Sequence, residues 1–160
     1  MKITERSVLF WKGSDIYSNF YYSPFIHNKQ LFRWSEQAIM YRKAMLFNAP
    51  HIAQKILRAK TPMECKKLGR SKEIKFNENV WVHERENIYY EVLLDKFSLP
   101  QLRKEILSTD QKTFIEASPF DKIWGVGMDE NHPDVENSDK WKGLNLLGVV
   151  LDRVRDTLSN

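Results

Sequence analysis

The stretch "SEQAIMYRKAMLF", Ser35 to Phe47, decides how the chain is read. It contains no glycine or proline and repeats its apolar residues at helical spacing, so it predicts a helix, with Ser35 as its N-cap. At 100° per residue, Glu36, Met40, Lys43 and Phe47 fall within about 60° of one another, with Ile39 and Leu46 beside them. An acid and a base therefore lie on the stripe that should face the core. They are seven residues apart, roughly 10 Å along the axis, which is too far for an i,i+4 surface pair. Opposite charges on a buried stripe are costly unless partnered. Two readings stand: the pair flanks a pocket from either side, or Glu36 complements the helix dipole while Lys43 snorkels to solvent.

Working outward, "SVLFW" and "LFRW" read as short strands that bracket the loop "YSNFYYSPF". "PHIAQKILRA" continues helically after Pro50, and "TPMECKKLG" is a short helix opened by Thr61-Pro62 and closed by Gly69. "NENVWVHERENIYYEVLLDKF" is a long amphipathic helix, and "SLPQLRKEILS" restarts after the break at Pro100. "KTFIEAS" reads as a strand, "DENHPDVENSDKW" as a polar loop with five acids, and "GLNLLGVVLDRVRDTL" as the closing helix. No repeat, low-complexity tract or linker interrupts this order. The 160 residues thus predict one α+β domain, residues 1–160, mainly α-helical with a small β-sheet.

Composition narrows the function classes. Hydrophobic residues make up 42% and charged residues 29%, ordinary for a globular chain. The net charge of +4 is mildly basic; it fits anionic ligands without demanding nucleic acid. The single cysteine, Cys65, allows no internal disulfide and reads as an ordinary thiol. The histidines, His27, His51, His83 and His132, are scattered, and none has metal-ligand spacing, so no metal and no cofactor are expected. The start lacks an apolar leader segment and nothing approaches a membrane span, so the expected location is cytoplasmic, with no membrane partner.

A second constellation is "EASPFDKIWGVG", Glu116 to Gly127. "SPFD" has the form of a helix start, with Ser118 as N-cap and Asp121 as a capping carboxylate. Gly125 and Gly127 permit backbone angles and close approaches that other residues forbid. Trp124 beside them offers a stacking face, or packs in the core. A carboxylate next to a stacking platform suits a cationic transition state at a sugar carbon. A third set could bind anions: Arg70 after Leu68-Gly69, Arg85 one turn beyond Trp81, and "WKGLNLLG", whose helix-start amides could hold a phosphate with Gly143 and Asn145 shaping the approach.

Together these stretches resemble the NADAR family, the YbiA-like N-glycosidases. "YSNFYYSPF" matches its opening motif and "SEQAIMYRKA" its acidic helix motif. "LGR", "VWVHER", "KFS", "EASPFDKIWGVG" and "KWKGLNLLGVVLDRVR" follow in family order, from about Phe10 to Arg155. The resemblance implies a YbiA-like domain and hydrolysis of an N-glycosidic bond on an ADP-ribose or ribose-phosphate conjugate. The substrates it offers are ADP-ribosylated guanine carried on nucleic acid and ribosylamino-pyrimidine intermediates of riboflavin synthesis. It assigns Glu36 and Asp121 as catalytic acids and Lys43 to a covalent step with an opened ribose. Trp81 and Trp124 would stack on the base or ring. Asn19, Phe20, Arg70, Arg85, Gly125, Gly143 and Asn145 would complete the substrate contacts. Met40-Tyr41 and Leu99-Pro100 depart from common family forms and put substrate identity, more than chemistry, in question. A non-catalytic reader of NAD or ADP-ribose is the rival; it would not need Glu36 and Lys43 together.

Overall fold

The computed structural model describes all 160 residues, Met1–Asn160. In chain order the elements are β1 (Lys2–Ile3), β2 (Ser7–Phe10), β3 (Phe25–His27), β4 (Gln30–Phe32), α1 (Ser35–Leu46), α2 (Pro50–Arg58), α3 (Pro62–Leu68), α4 (Glu78–Phe97), α5 (Pro100–Leu107), β5 (Thr113–Glu116) and α6 (Leu146–Ser159). This is the expected α+β fold, six helices with two small sheets. No helix is long and apolar enough to cross a membrane. By packing, the chain divides into two compact units, Met1–Ser18 with Phe97–Asn160, and Asn19–Lys96.

The first unit is built on the sheet β1-β2-β5, in which β2 pairs antiparallel with β1 and parallel with β5. β2 is buried along its whole length, as a strand covered on both faces must be. Its residue Leu9 packs with Ile115, Ala117, Val126, Met128 and Val135. The acidic loop is tied to this cluster: Trp141 packs against it and donates its indole N–H to the carbonyl of Val135 at 2.7 Å. Tyr17 stacks on Phe97 with ring centroids 5.7 Å apart and meets Phe114 at 4.9 Å.

The second unit is helical around α1. The hairpin β3–β4, not foreseen as a pair, turns through Asn28 and Lys29, both at positive φ (48° and 65°). That geometry is the two-residue turn whose twist matches paired strands, and asparagine tolerates it well. Phe25, His27 and Phe32 face inward while Ile26 and Leu31 stay exposed. His27 Nδ1 meets Asp95 Oδ2 at 2.7 Å, and Arg42 pairs with Glu91, so the hairpin, α1 and α4 are clamped together.

Two local expectations fail here. Ser35 is the first helical residue, not the N-cap, which is Trp34. Asn19 replaces a local cap: its carbonyl accepts the Glu36 N–H at 3.0 Å and its Oδ1 accepts the Ser35 hydroxyl at 2.8 Å. A distant residue can satisfy the orphan amides of a helix start as well as a neighbouring one. Nor is α1 a half-buried stripe. Every residue from Ser35 to Met40 is buried, because α2, α3 and β4 all pack around it.

Candidate active site

The site of the second unit grows from the two charges on α1. Glu36, in the first turn, is only 6% exposed. Lys43, two turns later, is half-buried and does not run out to solvent. Its Nζ lies 4.9 Å from the ring centroid of Phe76 and 5.2 Å from that of Trp81. Trp81 is 8% exposed and Phe76 is 50% exposed. The two rings are placed by the start of α4. The carbonyl of Asn77 accepts from Trp81 N–H and its Oδ1 accepts from Val80 N–H, so Asn77 caps the helix. Phe76 and Trp81 then stand at the positions of a hydrophobic staple, before the cap and at the fourth helical residue.

Lys43, Gly69, Arg70, Ser71, Lys72, Ile74 and Phe76 line an open pocket of about 330 Å³. Burial depresses the Lys43 amine below the ordinary lysine value; the Arg70 guanidinium adds to this, and Glu36 opposes it. Gly69 is needed where it is. A Cβ there would come within 2.1 Å of Met40 Sδ, so Met40 fills the space that glycine leaves and α3 closes onto α1. Cys65 is buried on the inner side of α3, its thiol pushed up to about 12 by burial and then by Glu36, and is inert as a nucleophile.

Of the other predicted contacts in this unit, Asn19 holds the start of α1, and the Phe20 ring carries the Lys66 ammonium at 5.9 Å. Arg85 is half-buried one turn after Trp81. Phe76, Ser71, Lys72 and Ile74 escaped the sequence reading. The legible signal was the staple pattern around Asn77.

In the first unit no helix starts at Ser118. Ser118 Oγ accepts from Phe120 and Asp121 N–H (3.3 and 3.1 Å), and Asp121 Oδ1 accepts from Ile123 and Trp124 N–H (2.9 and 2.8 Å). The same side chains that cap helices here close two successive turns. The reason is the partner that follows. Amides of Leu144, Asn145, Leu146 and Leu147 donate to the carbonyls of Lys122, Gly125, Ile123 and Trp124. Those amides were expected to be free for a phosphate and are not. Gly143 lets the two chains touch: a Cβ on it would lie 2.2 Å from the Gly125 carbonyl oxygen. Gly125 itself passes close to the carbonyls of Glu116 and Asp121, and Gly127 has φ +71°. Asn145, at φ 52°, bridges Glu116 N–H and the Phe114 carbonyl with its side-chain amide. Trp124 is half-buried.

The second-unit pocket holds a basic amine with a depressed pKa, a guanidinium and the Phe76 ring in its wall; the Trp81 ring lies near the amine, and a buried carboxylate stands on the same helix. Such a set can bind a phosphate, stack a flat ring and attack an electrophilic carbon. No group of three or more His, Cys, Asp or Glu residues gathers as a metal site.

Known proteins resemble this chain over most of its length. Protein irg-1 of Caenorhabditis elegans is 37% identical over 97% of this chain and 81% of its own length. N-glycosidase R617 of Acanthamoeba polyphaga mimivirus is 39% identical over 76% of this chain and 72% of its own. The NMR structure of the E. coli protein YbiA superposes with a TM-score of 0.79 at 25% identity, over 99% of this chain and 88% of that one. The NADAR domain profile matches residues 9–159. With nearly its whole length inside that match, the chain belongs to the NADAR family.

Proposed function

We propose that the protein is an N-glycosidase that hydrolyses the bond between a ribose C1′ and a base nitrogen in an ADP-ribose or ribose-phosphate conjugate. The observation that carries this reading is the Lys43 amine, held between the rings of Phe76 and Trp81 beside Arg70, with Glu36 buried on the same helix. A non-catalytic binder of the same ligand would gain from Arg70 and the rings but not from an amine whose pKa burial lowers. The relative named as an N-glycosidase supports the reaction class.

In this mechanism the neutral Lys43 Nζ attacks C1′ and the C1′–N bond breaks. The leaving base takes a proton from the Glu36 carboxyl. The ribosylamine opens to an imine on Lys43, and the carboxylate of Glu36 activates the water that hydrolyses it, restoring the amine and the acid and releasing the sugar. Arg70 holds the phosphate, and the ring faces hold the flat base. Positive charge develops on the sugar carbon as the bond breaks, and the family resemblance assigns its stabilisation to the carboxylate of Asp121.

The test is incubation with NAD, ADP-ribose, ADP-ribosylated guanine in DNA and a ribosylamino-pyrimidine phosphate, with released base followed by mass spectrometry. Release of free base from one of them is expected. Tight binding of a conjugate with no release from any would make the protein a reader and end the enzymatic reading.

A further inference from the structure

The wall of the Lys43 pocket is cationic. Lys43, Arg70 and Lys72 carry positive charge, and no acid is among the lining residues. Arg70 and Lys72 are exposed, and the acid next along the chain, Glu73, lies 3.7 Å from His51 instead of pairing with either. Like charges gathered in this way favour an anion between them. The pocket is also small: its 330 Å³ stands at the low end of the range for ligand sites, about 300–1,000 Å³. Phe76 is the one aromatic side chain in its wall, so the wall itself selects for charge more than for flat rings. The amine of Lys43 rests against ring faces, with no carboxylate at ion-pair distance. A small anion held by Arg70 and Lys72 therefore sits in one pocket with an amine that is not tied up in a salt bridge.

We infer that this pocket is a reversible covalent site for small phosphorylated aldehydes, in which Arg70 and Lys72 hold the phosphate and Lys43 condenses with the carbonyl carbon. Such a ligand carries no base and no scissile bond, so it is bound without being a substrate. Burial and Arg70 both lower the Lys43 amine, which raises its unprotonated, nucleophilic fraction. The neutral Nζ adds to the aldehyde carbon, the carbonyl electron pair moves to oxygen, and a proton passes from nitrogen to that oxygen. Departure of the oxygen as water then leaves a C=N bond. One amine and one aldehyde give one imine and one water, with nothing oxidised or reduced. Water re-enters the open pocket and reverses the step. While the imine lasts, Lys43 cannot attack a substrate, so free phosphorylated aldehydes inhibit by occupying the amine. That inhibition rests on the N-glycosidase reading above; the condensation does not.

The test is incubation of the full chain with glyceraldehyde 3-phosphate and cyanoborohydride, followed by intact-mass and peptide mass spectrometry. One adduct per chain is expected, on Lys43, and none in Lys43→Arg. Unphosphorylated glyceraldehyde lacks the charge-assisted contacts and should need at least about tenfold higher concentration for half-labelling. Inorganic phosphate should protect Lys43 from the phosphorylated aldehyde. Arg70→Gln, a change at an exposed side chain, should keep the wild-type circular-dichroism melt and lose most of the preference for the phosphorylated probe. Labelling spread over exposed lysines, an adduct on Lys72 in place of Lys43, or equal half-labelling by the two aldehydes would overturn the inference, and the wild-type comparison decides this without either variant. On any conjugate that is turned over, glyceraldehyde 3-phosphate without reductant should raise KM and leave kcat unchanged. A Lys43 adduct without that inhibition would remove the inhibitory role and keep the binding site. Turnover with no adduct overturns the site and leaves the N-glycosidase reading standing. An adduct on Lys43 with no turnover of any conjugate does the reverse.

Discussion

The Nζ of Lys43 lies 5.2 Å from the ring centroid of Trp81, on the face of a side chain that is itself almost wholly buried. A lysine two turns along a helix from a buried carboxylate could have run to solvent. Instead its stem is covered and its amine faces a pocket. In the proposed chemistry this amine forms an imine with the sugar. Borohydride added during turnover should leave a sugar adduct that peptide mass spectrometry maps to Lys43, and Lys43→Arg should give neither adduct nor product. An active Lys43→Arg variant with no adduct would leave Lys43 only a phosphate-pairing role.

Phe76 is half exposed, so its loss removes little core. Phe76→Ala should change the melting temperature only slightly. It takes away one ring face from Lys43 and from a stacked ligand, worth about 1 kcal/mol and hence about fivefold in KM. kcat should change less than KM. A variant that melts early with unaltered KM would reduce Phe76 to a helix staple.

Gly69 and Met40 are a coupled pair. Gly69→Ala drives a Cβ toward the Met40 thioether and should destabilise by about 1–3 kcal/mol. Met40→Ala leaves a cavity but makes room. The double variant should therefore lose less than the sum of the two single losses, read by urea denaturation. Strict additivity would mean that the two residues do not share the space.

Lys96 gives stability a pH dependence of known sign. It is fully buried, and burial pushes its amine down from 10.5 to about 7. Between those values the unfolded chain holds the proton and the folded chain does not. Stability therefore rises with pH through that window, at most about 1.4 kcal/mol per pH unit for this one group. Below it, both states carry the charge and the full cost of burying it falls on the fold. Lys96→Met should be more stable near neutral pH and should flatten the rise; a steep rise that survives in the variant would assign it to other groups.

Asp121 combines a structural duty with a proposed electrostatic one. Asp121→Ala leaves the Ile123 and Trp124 amides without their acceptor and should cost about 1–2 kcal/mol. Asp121→Asn keeps an oxygen in place and should melt close to wild type. If the charge stabilises the transition state, the asparagine variant loses about a hundredfold in kcat. Near-normal kcat in that variant would confine Asp121 to shaping the loop.

Much of this protein is decided by local chemistry that a sequence carries openly. The helices α1 to α6 follow from periodicity, from Pro50, Pro62 and Pro100 at helix starts, and from Thr61, whose hydroxyl accepts the Glu64 N–H as a cap should. The pairing of an acid and a lysine on one helix was equally legible. Other features required the fold. "SPFD" closes turns instead of starting a helix, because the local hydrogen bonds are alike in both and a distant segment, Leu144 to Leu147, takes the carbonyls of Lys122 to Gly125. "LFRW" announces β4, but the three-residue strand β3 is too short for alternation to announce it, and only its pairing with β4 makes it a strand. Ser35 lost its capping role to Asn19, sixteen residues away. The chemistry of Lys43 belongs to the same class. Residue type and spacing select the amine, but its depressed pKa comes from burial and from Arg70, with Glu36 opposing them, and its place beside the rings of Phe76 and Trp81 comes from packing. Desolvation and through-space charge depend on which residues meet in three dimensions, and that is what tertiary structure alone decides.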